Sequence, residues 1–283
     1  MNASHPPLSL SVRIAEGFLS KEQAMMDLPS VAHLAREAGY QTLCMRGSQL
    51  NVRTDREVVA TAASALREAD LGVTMVTGDF DIVYNNDNGP RCLRGISPYL
   101  DLATALGALM VRVALRKEDD IAHARRAADE AAERGIRLVH QCHIQSLFET
   151  VEGIVSTLRA IDRPNFGLIF EAANLELCGQ DYGPETVRRL SPWIFNVYLQ
   201  NQRLHPEGRV TLETWTRGAV RFDVMPIAES GGIDFGRVFD ALAAAGYVGP
   251  ITVHQSAPES GSALEAARST AGFLRTHCRG VGG

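Results

Sequence analysis

With 283 residues, 45% of them hydrophobic and 22% charged, the chain has the composition of an ordinary globular protein, long enough to bury a full core without covalent staples. A formal net charge of −5, with basic residues mixed among acids as around residues 125–134, argues against a nucleic-acid-binding surface, which needs clustered Lys and Arg. Five cysteines without a CxxC spacing argue against a disulfide framework or structural zinc. No run approaches the roughly 18 apolar residues of a membrane span. The opening MNASHPPLSLSV has neither a basic start nor an apolar stretch of signal-peptide kind. A cytoplasmic chain in a reducing compartment, with no membrane or nucleic-acid partner, is the expectation.

Short β-branched apolar runs alternate with longer amphipathic ones. Residues 8–14 (LSLSVRI) read as a first strand. Residues 28–38 have helical spacing and stop at Gly39, a natural C-cap. A strand over 40–46 precedes a helix over 55–69. A strand over 73–77 precedes a helix over 93–106, and a strand over 109–115 precedes a helix over 118–133. The fifth strand, 136–142, leads to a helix over 147–161. The sixth, 166–171, leads to a short helix over 184–190. The seventh, 194–200, is followed after a long interval by a helix over 235–245. The eighth, 250–255, is followed by a last helix over 263–276. The longest connections, 78–90 and 201–234, are long enough to be functional.

Eight strand–helix units in one chain predict a (β/α)8 TIM barrel spanning residues 1–283 as a single domain. The competing doubly wound sheet usually carries a glycine-rich phosphate turn after its first strand. Here that position reads Ala15-Glu16-Gly17-Phe18, so no nucleotide cofactor is expected.

In a barrel the chemistry sits at the C-terminal ends of the strands. Polar residues collect there: Arg46, Arg112, Gln141 and His143, Glu171 and Asn174, Tyr198, Gln200 and Asn201, and His254 with Gln255. Strand alternation puts Gln141 and His143 on one face and His140 and Cys142 on the other. A lone strand-end histidine is more often a hydrogen-bonded structural residue, and Arg112 or Glu171 alone can be a paired or capping group. Several strands offering such groups at one end favour a polar site, because buried polar groups are costly unless paired or used.

Beyond the strand pattern, five stretches carry a resemblance: GYQTL at 39–43, GIRLVHQCH with SLFET within 135–150, FGLIFEAANL at 166–175, IFNVYLQN at 194–201, and ESGGIDFGRVFDALAAAGYVGPITVHQ at 229–255. Together they resemble the xylose-isomerase-like TIM barrels over roughly residues 8–273. That superfamily contains sugar isomerases and epimerases, dehydratases and an endonuclease. The last stretch is the most specific, matching in order, spacing and the Gly-Tyr-x-Gly turn. The resemblance implies a divalent metal held by two Glu, one Asp and one His from four strands. The matching positions here read Gln141, Glu171, Tyr198 and His254, so only one carboxylate survives.

Gln141, Glu171 and His254, with Gln200 nearby, form a candidate set for Mn²⁺, Zn²⁺ or Co²⁺; a hard Mg²⁺ site wants more anionic oxygen. A metal-free site is the alternative. His254, His143 and Glu171 are the candidate acid–base groups. Arg46, Arg112, Asn174, Tyr198, Asn201, Arg217 and Arg221 are candidate substrate-binding residues, the arginines through forks suited to a carboxylate or phosphate. The resemblance implies an isomerase or epimerase acting on a small polyhydroxy carbonyl compound through an enediolate. The thinned-out set of bases suits a lyase on a keto-sugar or keto-sugar acid, and the inosose dehydratases of the superfamily share the His-rich fifth strand. A non-catalytic sugar-binding subunit is the third alternative, and a homo-oligomer is compatible with all three. The endonuclease relative uses a zinc site rich in His and acids that this chain lacks.

Overall fold

The computed structural model describes residues 6–17, 20–256, 261–278 and 281. The first five residues, part of the stretch bearing on targeting, lie outside the described residues. Eight parallel strands close into a barrel: β1 (Leu8–Ser11), β2 (Thr42–Arg46), β3 (Gly72–Thr77), β4 (Met110–Arg112), β5 (Arg137–Gln141), β6 (Phe166–Phe170), β7 (Ile194–Leu199) and, last in the chain, β11 (Ile251–Val253), which pairs with both β7 and β1. Between β7 and β11 the chain makes a three-stranded antiparallel sheet from β8 (Asn201–Leu204), β9 (Val210–Thr214) and β10 (Gly218–Met225), with β10 in the middle. No described helix is long and apolar enough to cross a membrane.

The helices form where their apolar spacing and caps agree. The Leu28–Ala38 helix starts on the side chain of Asp27, which accepts from the Ser30 N–H at 2.9 Å, and ends at Gly39 in the left-handed region (φ 85°). The helix expected from 147 begins at Val151, because Thr150 caps it by accepting from the Gly153 N–H at 3.0 Å. The helix expected from 93 begins at Ser97, after a 3-10 turn over Gly89–Arg94 that starts at a glycine and a proline. The first strand also ends early, in a 3-10 turn over Val12–Ala15.

The barrel wall sorts its residues by parity. One large apolar cluster fills the space between wall and helices and includes Leu43, Val111, Leu138, Leu168, Val197 and Cys142. A separate small cluster lies inside the barrel: Cys44, Met75, Met110, Val139, Ile169 and Tyr198. Below it the interior is polar, with Thr74 donating to Ser9 at 3.0 Å and Thr252 to Asn196 at 3.0 Å, while Asn196 Nδ2 has no partner among the described residues. Each member of the inner cluster is followed two positions later by a polar residue on the same face: Arg46, Thr77, Arg112, Gln141, Glu171 and Gln200. The C-terminal mouth is therefore lined by a polar ring standing on an apolar plug.

Candidate active site

The ring is knitted by directional contacts. Glu171 is fully buried and follows β6 directly. Its Oε2 accepts from Gln141 Nε2 and, at 2.7 Å, from Asn174 Nδ2, and its Oε1 accepts from Gln200 Nε2. Asn174 reaches it because an unanticipated short helix, Ala172–Leu177, begins at Glu171 and places the residue three positions on over the carboxylate. Gln200 Oε1 in turn accepts from Arg13 at 2.9 Å, which fixes which end of that amide faces Glu171.

Arg46 donates from Nε to Glu16 Oε1 at 2.8 Å, a fully buried ion pair that Ser48 joins through its hydroxyl at 2.7 Å. Arg46 Nη1 lies 3.2 Å from His254 Nε2. A guanidinium can only donate, so Nε2 is the acceptor; Nδ1 carries the proton and gives it to Ser11 Oγ at 3.1 Å. The His254 ring stacks on Tyr198, with centroids 4.0 Å apart and planes at 11°. Tyr198 points down into the plug, where its hydroxyl meets Cys44 Sγ at 3.2 Å.

The electrostatics follow from burial and from a surplus of positive charge. Glu171 is raised above the ordinary carboxylate range by burial, partly offset by Gln141, Gln200, Arg13 and Arg112. His254 is held well below the usual imidazole value by burial and by Arg46, Arg13 and Arg112. His143 is lowered to about 3 by burial and by Arg112; its Nδ1 donates to the Ile144 carbonyl at 3.0 Å, leaving Nε2 as an acceptor. Lys21, half-buried on the segment after β1, is lowered to about 7 by burial and by Arg13, Arg46 and Arg112. Arg13 itself falls to about 10 through burial and its proximity to Arg46.

Of the expected site residues, the structure brings together Arg46, Gln141, Glu171, Asn174, Gln200 and His254, with Arg112 on the same inner face and His143 close enough to feel Arg112. His140 and Cys142 face outward, His140 edge-on to Phe148 at 4.5 Å and Cys142 in the outer core. Four expected residues are elsewhere engaged: Tyr198, expected to bind substrate, spends its hydroxyl on Cys44 in the plug, and the other three serve the fold or the surface. Asn201 is buried as a clamp, donating to the carbonyls of Pro226 and Glu229, both at 2.8 Å, and accepting from the Ile233 N–H. Arg217 and Arg221 are exposed on the antiparallel arm. Arg221 donates to the Gly208 carbonyl and Arg217 to that of Glu176, because the alternation of β10 turns Val220 and Phe222 inward and Arg221 out. Four participants were not anticipated: Ser11, Arg13, Glu16 and Lys21. The alternation of Ser9, Ser11 and Arg13 against Leu8, Leu10 and Val12 was the available signal for the first two.

The expected metal can be tested against these contacts. His254 Nε2 is taken by Arg46, Gln200 Oε1 by Arg13, and both oxygens of Glu171 by amide N–H groups. Only Gln141 Oε1 is left without a partner. Among the described residues no group of three His, Cys, Asp or Glu has a spacing that could hold an ion. Guanidinium groups stand against the donors a divalent cation would need, so the candidate set Gln141, Glu171, Gln200 and His254 does not fit Mn²⁺, Zn²⁺ or Co²⁺.

A closed barrel of this kind, with its polar ring at the C-terminal mouth, defines the class. The family model described as xylose isomerase-like TIM barrel matches residues 32–277, and the chain belongs to that family. A curated relative, the inosose dehydratase of Geobacillus thermodenitrificans (strain NG80-2), is 28% identical over 155 residues, covering 54% of this chain and 52% of the relative. The chain thus matches about half the length of that relative. Solved structures of the same fold include the probable 3-DHS dehydratase AsbF from Bacillus anthracis (15% identity, 95% of this chain and 98% of that one, TM-score 0.72). A xylose isomerase-like TIM barrel protein from Mycobacterium smegmatis, in complex with magnesium, has 14% identity, covers 98% of each chain and has a TM-score of 0.72. D-allulose 3-epimerase from Methylomonas sp., in complex with D-allulose, has 16% identity, covers 98% and 99%, and has a TM-score of 0.67.

Proposed function

We propose that the chain is a lyase that removes water from a small polyhydroxy carbonyl compound, working without a bound metal. The observation that carries this is the isolation of Glu171 as the ring's one carboxylate held by neutral donors and raised by burial. Glu16 is committed to Arg46, His254 is locked as an acceptor beneath the same guanidinium, and His143 is far too acidic to hold a proton at neutral pH. A site with one working base favours a reaction that needs one.

The steps balance on that single carboxyl. Glu171 takes the proton from the carbon next to the carbonyl, and the C–H electrons form an enolate. The oxyanion meets a buried guanidinium N–H donor, Arg46 Nη2, which lacks a partner among the described residues. Gln141 Oε1, also unpartnered, is placed to accept from a substrate hydroxyl. The enolate electrons then form the C=C bond, the β C–O bond breaks, and the leaving hydroxide takes the proton back from Glu171 as water. The inosose dehydratase relative, matched over half its length, supports a dehydration in this family.

Isomerisation is the second reading: the same carboxyl would return the proton to the neighbouring carbon, and the likeness to the D-allulose 3-epimerase fold is compatible with it. Proton NMR in D₂O tests the shared first step. Incubated with keto-sugars and cyclic polyhydroxy ketones, the wild type should wash deuterium into the position next to the carbonyl of its substrate, and E171Q should not. Exchange that persists in E171Q would remove Glu171 from the role.

A further inference from the structure

The interior arginines differ in what holds them. Arg13 donates to Gln200, and Arg46 has Glu16 and His254. Arg112, at the end of β4 and only 2% exposed, has no hydrogen bond or ion pair among the described residues, and its Nε is fully buried without a partner. A guanidinium taken out of water with no counter-ion in direct contact, only the through-space pull of Glu171, is a costly arrangement. The fold supports it on Met110 two residues below, in the apolar plug, so it cannot retreat into solvent as a surface arginine would.

The surroundings deepen the imbalance. Arg13, Arg46, Arg112 and Lys21 share the mouth with two carboxylates, Glu16 and Glu171. Glu16 pairs with Arg46 through Oε1, its Oε2 staying buried and unpartnered among the described residues, and Glu171 is wrapped in three amide N–H groups. Arg46 also keeps one nitrogen, Nη2, buried and unpartnered. Beside the acceptors Glu16 Oε2 and Gln141 Oε1, the open valences of the arginines are donors on two different strands, in surroundings with a surplus of positive charge.

We propose that Arg112, assisted by Lys21, is the seat of an anionic group on the substrate, a carboxylate or a phosphate, so that the ligand is a keto-sugar acid or sugar phosphate rather than a neutral sugar. The inference rests on the polyhydroxy carbonyl substrate proposed above. The planar fork of Arg112 matches two oxygens of such a group. Filling it pairs the buried charge and leaves the rest of the carbon chain to reach Glu171.

Three probes share one carbon skeleton and differ in their end group: D-fructose, D-fructuronate and D-fructose 6-phosphate. Their affinities for the wild type, R112Q and R112K are to be measured by calorimetry at constant ionic strength. In the wild type at least one anion should bind about tenfold or more tightly than D-fructose, and which one does so separates carboxylate from phosphate. R112Q should erase the preference, and R112K, which keeps the charge but not the fork, should keep a few-fold of it. Equal binding of all three probes by the wild type overturns the proposal, as does a preference that R112Q retains. Should R112Q fail to fold, the wild-type comparison together with R112K decides. Anion preference without exchange of the substrate's C–H would leave this seat standing and defeat the lyase; dehydration of a neutral ketone without anion preference would do the reverse.

Discussion

Arg46 holds His254 by its Nε2 atom at 3.2 Å while its own Nε is tied to Glu16. On the metal-free reading proposed above, this guanidinium supplies the positive charge beside His254. Protein purified without chelator should carry no stoichiometric manganese, zinc or cobalt, and treatment with a chelator should leave turnover unchanged. Elemental analysis of wild type and E171A checks this; near-stoichiometric metal in the wild type that E171A loses would contradict it.

Glu171 sets catalysis against stability. Its folded pKa is raised, so the folded state holds its proton more tightly than the unfolded chain does, and stability declines as pH rises through that raised value. Wherever it is ionised, the buried charge is a cost. E171Q removes that charge but turns an NH2 group toward amide donors from which Glu171 accepts, so the variant's Tm should decline less than the wild type's as pH rises, whatever the donor–donor contact costs at any one pH. Turnover should fall by on the order of 100-fold or more. Calorimetry and kinetics on the same preparation test the pair of effects.

Three inward or core histidines make the fold acid-sensitive. His140 and His254 are buried and held well below the usual imidazole value, and half-buried His143 is lowered to about 3. The unfolded chain takes up protons as pH falls below about 6.5, while the folded chain does not, so folding stability drops with falling pH. Each such histidine contributes a slope of up to about 1.4 kcal/mol per pH unit below that point. Urea midpoints at pH 7 and pH 5 should show the loss, and replacing His140 by an apolar residue of similar size should reduce it.

Lys21 should make anion binding pH-dependent. Burial and the three arginines lower it to about 7, so it is charged below that pH and neutral above. A bound anion favours the charged form, so affinity for the preferred anionic probe should fall as pH rises from 6 to 8. K21M should be weaker at pH 6 and flat across the range. A wild-type affinity that is level between pH 6 and 8 would count against Lys21 as part of the seat.

Much of this architecture is legible from residue parity. The alternation that puts Gln141 and His143 on one face of β5 also orders the whole inner ring, since Arg46, Arg112, Glu171 and Gln200 each stand two residues beyond an inner-cluster member. What parity cannot supply is contact across the barrel. Glu16 and Lys21 lie beyond β1 in a segment without strand or helix periodicity, and only closure of the barrel brings Glu16 to Arg46, thirty positions away. Arg217 and Arg221 are candidates by the chemistry of their forks. The alternation of VTLET and GAVRFDVM within the 201–234 connection is the signal of the β9–β10 hairpin, and it turns Arg221 outward. Asn201 looked like a mouth residue because it follows β7; its three hydrogen bonds to the 226–233 segment use its polar atoms for the fold instead.

The most direct test of a metal-free, one-base dehydration is the mass of the product. Chelator-treated wild type and E171Q are incubated with keto-sugars, keto-uronates, sugar phosphates and cyclic polyhydroxy ketones, and the mixtures are read by mass spectrometry. The account predicts a product lighter than its substrate by one water, formed by the chelated wild type and lost in E171Q. A product of unchanged mass, a requirement for added metal, or an absence of any turnover by the wild type would contradict it.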